Sequence, residues 1–289
     1  MRVLITGKDS YIGVSFENWV KNTNPEWDIN TICLKDSTWK TTSFSDYDTI
    51  LHVAGIAHVS ADPKLEELYY KVNRDLAIEV AQKAKEDQVK QFIFMSSMII
   101  YGADEGVGIS NVITTDTKPQ PLNFYGDSKL QADLAIQAMS DEKFKTAIIR
   151  TPMVYGPNSK GNFPKLIKLA KLTPLFPSLE NKRSMIYIDN LTEFIRLLIL
   201  NQSSGVFFPQ NKDYVGTKEI VLVAGECMNR KIYSVGLFNP LLTLMSKKMS
   251  IINKILGNKI YDKKLSKHFN QEYCVVDFKE SIKRSISSS

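Results

Sequence analysis

Residues 2–13 of this chain read Arg-Val-Leu-Ile-Thr-Gly-Lys-Asp-Ser-Tyr-Ile-Gly, and this stretch decides the fold. Its apolar first half is typical of a buried parallel strand, and Gly7 begins a turn directly after it. An apolar pattern with helical spacing follows Gly13 and continues to Val20. A strand, a glycine turn and a helix in this order present backbone N–H groups and a helix N-terminus to a pyrophosphate. The stretch therefore predicts a dinucleotide-binding turn.

One position of this turn departs from the glycine fingerprint. Ser10 occupies the place of the central glycine in a Gly-x-x-Gly-x-x-Gly pattern, where the backbone comes close to the phosphates. If the backbone needs a positive φ there, a serine would be strained by about 1–2 kcal/mol. We still expect the turn to bind the cofactor through Gly7, Ser10, Tyr11, Ile12 and Gly13.

Strand and helix patterns alternate from residue 2 to about residue 156. The strand patterns cover residues 29–34, 48–55, 91–97 and 146–150, and the longer helical patterns cover residues 65–85 and 125–138. This alternation predicts an α/β fold with a doubly wound parallel sheet, Rossmann-like in its first part. We assign residues 1–156 to a dinucleotide-binding domain that also carries the catalytic residues. Residues 157–289 form a smaller region that mainly binds substrate, with a late strand near residues 206–208 returning to the sheet.

The end of the second strand pattern bears on the choice between NAD and NADP. An acid at this place binds the adenosine ribose of NAD, and a cation binds the 2′-phosphate of NADP. The chain has Lys35 followed by Asp36, so both remain candidate cofactor contacts. Lys35 leans the prediction toward NADP(H), and Asp36 keeps NAD open.

Small and polar residues near the third strand pattern are further candidates. Ala54 and Gly55 end the strand and would let a flat ligand approach the backbone. Asn73, in the long helical pattern, needs partners for its amide if it is buried and could brace the neighbouring strand. We expect His52 to be a core residue, while His58 follows in a loop that could face the site.

Composition and charge exclude several classes of protein. The 289 residues are 43% apolar and 24% charged, an ordinary globular composition. The net charge of +6 belongs to residues 240–289, which have ten Lys/Arg and four Asp/Glu, so the first 239 residues are neutral. Without a basic stripe through the fold we expect no nucleic acid as a partner.

Segment and cysteine patterns bear on location. The first strand pattern begins at residue 2, so we expect no cleaved leader, and no apolar run reaches the roughly 18 residues of a membrane span. Three widely spaced cysteines argue against disulfides and metal sites and for a cytoplasmic protein. Residues 237–261 are apolar and basic, and we expect a lid or a core piece there rather than peripheral membrane contact.

A tyrosine and a lysine in the helical pattern over residues 125–138 carry the chemistry. Tyr125 and Lys129 are four residues apart, so a helix places them on one face. A nearby ammonium favours the phenolate, and we expect Lys129 to lower the pKa of Tyr125 toward the range of a general acid/base. A strand that ends in Ser96 and Ser97 precedes them in the chain.

These motifs together resemble the extended short-chain dehydrogenase/reductases, in particular the NAD-dependent epimerase/dehydratase family that acts on nucleotide sugars. The resemblance covers nearly the whole chain, through the glycine turn, the segment 51–55, the segment 95–102, the Tyr125-x-x-x-Lys129 pair, the segment 150–157 and the segment 183–190. It implies that Tyr125, Lys129 and Ser97 are catalytic. It also implies that Pro152 and Val154 contact the cofactor.

The resemblance further implies where the substrate lies. We expect substrate contacts from Ser97, Met98 and Ile99, and contacts with a UDP diphosphate from Asn162 and Arg183, because arginine grips a diphosphate with two N–H groups. Dehydratases of the family have an Asp-Glu pair at the positions of Met98 and Ile99, which cannot transfer protons. A dehydratase is therefore not expected.

Two enzymatic activities and one non-catalytic function remain open. The favoured activity is NAD(P)-dependent reduction of a UDP-4-keto-6-deoxy-N-acetylhexosamine in surface polysaccharide biosynthesis, with hydride transfer at sugar C4. The first alternative is a UDP-sugar 4-epimerase, of the UDP-glucose or UDP-N-acetylglucosamine type, that retains its NAD. The second is a relative that binds NADP(H) or a sugar nucleotide without turnover. By analogy with the family, residues 65–85 and 125–138 could form a four-helix interface between two copies.

Overall fold

The computed structural model describes residues 1–57, 62–102, 104, 106, 108–237, 239–246 and 249–287, without the side chains of residues 250, 251 and 254. His58, the proposed loop residue, lies outside this part. The strands are β1 (Arg2–Thr6), β2 (Asp28–Ile32), β3 (Thr49–His52), β4 (Gln91–Ser97), β5 (Val112–Ile113), β6 (Lys145–Thr151), β7 (Met153–Tyr155), β8 (Leu175–Pro177), β9 (Met185–Tyr187), β10 (Gly205–Phe207), β11 (Tyr233–Val235) and β12 (Ile260–Tyr261). The helices are α1 (Tyr11–Thr23), α2 (Glu66–Tyr69), α3 (Leu76–Glu86), α4 (Phe124–Ala138), α5 (Asn162–Leu172), α6 (Ile188–Leu200), α7 (Thr217–Cys227), α8 (Asn239–Ser246), α9 (Ser250–Leu256) and α10 (Phe278–Ser287).

Six of these strands form one parallel sheet in the order β10-β6-β4-β3-β1-β2. The strand order reverses at β1, whose neighbours are β2 on one side and β3 on the other. In open α/β sheets, ligands bind outside the carboxyl ends of the strands at such a reversal. The predicted α/β fold with a doubly wound parallel sheet is confirmed, and the late strand β10 forms its edge beside β6.

Two apolar clusters cover the two faces of the sheet. One joins the sheet to α1 and α6 through residues such as Phe16 and Phe194. The other joins it to α3 and α4 through residues such as Val80 and Ile136. Because both faces are covered, the central strands are continuous apolar runs, as in β4, where six of the seven residues are buried.

The helix predicted over residues 65–85 exists, but its turns are not uniform. Between α2 and α3 the chain stays helical and takes a π-helical turn over Tyr70–Asp75. Tyr69 and Asn73 are buried while Leu68 is exposed. A π turn holds one more residue than an α turn and therefore shifts which side chains face inward.

The second part of the chain has its own core and several small sheets. The pairs β7–β9, β8–β11 and β5–β12 are each two-stranded and parallel. A third apolar cluster packs α5, α7 and α10 around Tyr155 and Tyr187. Residues 237–261 contain the two short helices α8 and α9 followed by β12. Among the described helices, none has the length and the apolar character to cross a bilayer.

Candidate active site

The glycine turn is shaped by contact with the end of β3. Gly7 has φ of 110°, and a Cβ on it would lie 2.9 Å from the backbone nitrogen of Ala54. A Cβ on Gly13 would lie 2.6 Å from Ser10 Oγ and 3.0 Å from a methyl of Ile5. Side chains at either position would push the first turn of α1 away from the sheet, so these glycines are structural requirements of the turn.

Ser10 is not strained, because its backbone does not adopt the positive φ that would strain it. Its backbone is extended, with φ of −70°, and its hydroxyl accepts a hydrogen bond from Gly13 N at 3.1 Å. Ser10 is therefore the N-cap of α1, a position that serine favours. The first amides of the helix, those of Tyr11 and Ile12, have no intrahelical acceptor and can bind an anion.

The loop after β3 is held by a buried asparagine. Asn73 is fully buried, donates to Ile56 O at 3.0 Å and accepts from Ile56 N at 2.8 Å. A Cβ on Gly55 would come within 3.1 Å of Asn73 Oδ1 and 3.2 Å of Lys129 Nζ. Asn73 thus braces the loop that carries Ala54 and Gly55, close to Lys129, while its own amide is bonded to backbone.

Lys35 and Asp36 follow β2 and could determine the preference for NAD or NADP, and they differ in their contacts. Asp36 accepts hydrogen bonds from the amide, at 3.0 Å, and the hydroxyl of Thr38, and these bonds lower the pKa of Asp36. Lys35 is exposed. The carboxylate of Asp36 is therefore already bonded within its own turn, whereas the ammonium of Lys35 faces solvent.

Tyr125 and Ser97 meet at the carboxyl edge of the sheet. Ser97 ends β4, Tyr125 lies in the first turn of α4, and the Ser97 hydroxyl lies close enough to the phenol to lower its pKa. Asn123 caps α4 by accepting from Gly126 N at 2.9 Å, which fixes where the helix begins. Ser97 Oγ also accepts from Ile99 N at 3.2 Å. The phenol and the hydroxyl thus form one unit.

The pKa of Tyr125 moves opposite to the predicted direction. Burial raises it to about 12, and the nearby Ser97 hydroxyl offsets only part of this effect. Lys129 is buried one helical turn away, donates to Met95 O at 2.9 Å and lies 4.7 Å from the centre of the Phe94 ring. Burial lowers the pKa of Lys129 to about 8. At neutral pH the phenol is protonated.

A buried ion pair lies farther along the same face of α4. Asp133 is fully buried and accepts from Arg150 Nε at 3.0 Å and Arg150 Nη2 at 2.9 Å. Ser96 Oγ donates to the same carboxylate at 2.7 Å, and Gln137 Nε2 donates at 2.5 Å. The sequence-based expectations did not include Asp133. Its signal was the spacing of Tyr125, Lys129, Asp133 and Gln137, each four residues after the previous one.

The remaining candidates lie around this centre or apart from it. Pro152 is buried after β6, and Val154 in β7 packs against the cluster that contains α1. Met98 is buried and Ile99 half-buried, so apolar groups follow Ser97. These positions are compatible with the cofactor and substrate contacts predicted for them.

The two proposed phosphate contacts have different surroundings. Asn162 is exposed at the start of α5. Arg183 Nη2 forms an ion pair with Asp104 Oδ2 at 2.5 Å, and its Nη1 donates to Ile255 O at 3.4 Å. Arg183 thus links the segment that follows β4, through Asp104, to Ile255 in α9.

Comparison with known proteins adds a family and a set of relatives. The model of the "NAD dependent epimerase/dehydratase family" matches residues 3–210. A UDP-glucose 4-epimerase of Vibrio cholerae is 36% identical over 180 residues, which are 60% of this chain and 54% of that protein. The N-acetyl-alpha-D-glucosaminyl-diphospho-ditrans,octacis-undecaprenol 4-epimerase of Escherichia coli O157:H7 is 27% identical over 224 residues, 75% of this chain and 66% of that protein. The chain thus spans between half and two thirds of the length of these relatives.

A solved structure shows the same fold over the whole chain. The UDP-glucuronic acid 4-epimerase of Bacillus cereus, in complex with NAD, superposes with a TM-score of 0.75. The two chains are 17% identical, and the match covers 100% of this chain and 98% of the other.

Proposed function

Because this chain belongs to the NAD-dependent epimerase/dehydratase family, we propose that it transfers hydride at C4 of a UDP-sugar, as a reductase of a UDP-4-keto-6-deoxy-N-acetylhexosamine in surface polysaccharide biosynthesis. The observation that carries this proposal is the placement of Tyr125 beside Ser97, with Lys129 one turn away. The pair stands at the carboxyl edge of a sheet whose glycine turn fits a dinucleotide.

The protonation state of Tyr125 favours reduction. A ketone that accepts hydride at carbon needs a proton on oxygen, and a phenol whose pKa is raised to about 12 carries that proton at neutral pH. The Ser97 hydroxyl has one proton, which it can donate either to the Tyr125 oxygen or to the ketone oxygen. An oxidation would begin with the phenolate, which the burial of Tyr125 disfavours.

The turn and the end of β2 fit NADPH. The amides of Tyr11 and Ile12 would bind the pyrophosphate. Gly7 lets this turn pack closely against Ala54. The exposed ammonium of Lys35 would bind the 2′-phosphate. When bound, the reduced nicotinamide supplies the hydride, and Lys129 would bind its ribose.

Substrate binding would draw on the second part of the chain. Arg183 could grip the diphosphate, provided that it exchanges its ion pair with Asp104 for the ligand. Asn162 would add a donor at the start of α5. Met98 and Ile99 would face the sugar with apolar groups, so no acid/base pair for water elimination stands beside Tyr125.

A second candidate is 4-epimerisation of a UDP-sugar with retained NAD. It is favoured by the two curated relatives, whose names are those of 4-epimerases. In this activity Tyr125 would first take a proton from the sugar and later return it, so bound NAD⁺ would have to lower the pKa of the phenol substantially.

A product assay with the purified protein separates these functions. We expect consumption of NADPH, faster than of NADH, only when a UDP-4-keto-6-deoxy-N-acetylhexosamine is present. Conversion of UDP-N-acetylglucosamine or UDP-glucose to its C4 epimer without net use of cofactor would establish the epimerase instead. Tyr125→Phe should reduce turnover by about 10²–10⁴-fold with cofactor affinity unchanged, since it removes only the transferred proton. Unchanged turnover in this variant would contradict both enzymatic activities.

The cofactor preference has its own matched pair of variants. Lys35→Ala should weaken NADPH binding by about tenfold and leave NADH binding unchanged, because only the 2′-phosphate loses a charged partner. Asp36→Asn is the control, since its side chain is bonded to Thr38 and should change neither affinity. A larger effect of Asp36→Asn on NADH than of Lys35→Ala on NADPH would refute the assignment of NADPH.

A further inference from the structure

Large apolar side chains are exposed where α5, β8, β11 and α8 adjoin. Leu172 at the end of α5 is 68% exposed, and Leu237 before α8 is 82% exposed. We call this set the leucine surface, and its members are Leu172, Leu175, Tyr233, Leu237, Leu241 and Leu244. Such a concentration of exposed leucines is uncommon on a protein surface that faces only water.

The elements that carry the leucine surface are joined to one another. Leu175 and Tyr233 are paired residues of the parallel strands β8 and β11, so their side chains point to the same side. Asn239, the first residue of α8, donates to Ser178 Oγ at 2.8 Å, just after β8. Leu241 and Leu244 are three residues apart and lie on one side of α8.

The charge of the contributing segments is of one sign. Residues 156–179 contain four lysines and no acidic residue, and residues 227–261 contain six Lys/Arg and no acidic residue. Lys168 and Lys171 are exposed on α5, and Lys231 lies 5.1 Å from the centre of the Tyr233 ring. The acids at the borders, Glu180 and Glu226, form ion pairs with Lys218 and Lys279.

We propose that the leucine surface docks this protein on an anionic lipid bilayer. Exposed leucines beside lysines, with a tyrosine among them, are the composition that enters the boundary between headgroups and acyl chains. The absence of acids from both segments favours a negatively charged membrane surface over an acid-bearing protein partner or a second copy, whose identical lysines would repel. The surface lies outside the proposed catalytic centre, so docking does not depend on the proposed function.

Flotation of the full chain with vesicles tests the proposal. We expect binding to mixed vesicles of phosphatidylcholine and phosphatidylglycerol, weaker binding at high salt, and little binding to phosphatidylcholine alone. Leu237→Ser with Leu241→Ser should lower the partition coefficient at least about tenfold, because apolar area no longer enters the bilayer. The matched control is Leu68→Ser with Leu200→Ser, two leucines that are each 44% exposed on other helices, and it should bind as the unchanged protein does.

Variants that remove lysine charges test the electrostatic part of the proposed membrane binding. Lys168→Gln with Lys171→Gln should weaken binding by about fivefold per lysine, whereas Lys64→Gln with Lys71→Gln should leave it unchanged. Absence of binding to anionic vesicles, or binding that survives Leu237→Ser with Leu241→Ser, would overturn the proposal. A dimer in solution that the same pair of serines converts to monomers would also overturn it, since the leucine surface would then be covered by a second copy.

Discussion

The buried pair of Asp133 and Arg150 allows a quantitative prediction. Asp133→Ala removes a carboxylate that is inaccessible to solvent and leaves the guanidinium of Arg150, whose side chain is 10% exposed, without its charged partner. The guanidinium would retain a hydrogen bond to Tyr101 OH at 2.7 Å and its contacts with the Tyr101 and Phe208 rings. None of these groups neutralises its charge.

The expected loss of stability follows from that geometry. Four hydrogen bonds to the carboxylate disappear, two of them from the guanidinium. Breaking a buried ion pair by removing one partner costs about 3–5 kcal/mol. We therefore expect the free energy of unfolding to fall by about 4 kcal/mol, a large part of the roughly 5–15 kcal/mol of an ordinary domain.

Urea titration monitored by circular dichroism measures this loss, with the slope m as a check on two-state unfolding. The double variant Asp133→Leu with Arg150→Met should recover at least about 2 kcal/mol relative to the sum of the single variants, because neither charge is left buried. Asp75→Ala is the control: its ion pair with Arg74 is exposed, and the loss should stay below about 1 kcal/mol. Strict additivity in the double variant, or a loss below about 1 kcal/mol for Asp133→Ala, would refute the reasoning.

Three further predictions concern the cofactor turn and the catalytic lysine. Ser10→Ala should lower the free energy of unfolding by about 1 kcal/mol and Ser10→Gly by only a few tenths, since serine and glycine both serve as N-caps; an equal loss in urea titration would contradict the cap. Gly7→Ala should lower the free energy of unfolding by at least about 2 kcal/mol in the same urea titration, because its φ of 110° disfavours a side chain and the new Cβ would lie 2.9 Å from the nitrogen of Ala54. A free energy of unfolding equal to that of the unchanged protein would exclude this contact. Lys129 has a folded pKa of about 8, below its ordinary 10.5, so between these values the unfolded chain binds more protons and stability rises with pH. Lys129→Met should therefore be more stable than the unchanged protein at neutral pH, and this advantage should shrink by about 3 kcal/mol as the pH rises to the ordinary lysine pKa. If urea titrations across that pH range give a constant difference in the free energy of unfolding, burial does not set the pKa of Lys129.

The local features of the site could be predicted from the sequence because each depends on neighbouring residues. The strand and the turn at Gly7 are where the pattern places them, and the helix begins at Tyr11, two residues before Gly13. The spacing of Tyr125 and Lys129 puts both on α4, and β4 ends at Ser97. Propensity and periodicity suffice for such features, since no distant contact decides them.

The errors arise where distant parts of the chain meet. The pKa of Tyr125 was expected to fall because only Lys129 was considered, yet burial by surrounding elements dominates it. The strain considered for Ser10 applied only to a positive φ, and the pattern does not reveal that the backbone there is extended. The pairing of Asp133 with Arg150 depends on how α4 lies against β6, and that of Arg183 with Asp104 joins segments 79 residues apart. No local pattern predicts these contacts.

The π-helical turn over Tyr70–Asp75 gives one helix two rotational phases. Before it, the Tyr69 ring lies 5.7 Å from the Tyr125 ring, and after it Ala77 and Val80 pack against the sheet. Each residue of an α-helix advances by about 100°. A π turn holds one more residue than an α turn, so loss of one residue from this turn would leave a regular α turn with both halves in place, whereas loss of one residue from α3 would rotate the side chains that follow away from the sheet by that angle. The π turn is thus the place in this helix where an extra residue is accommodated while Tyr69 stays beside Tyr125 and α3 stays on the sheet.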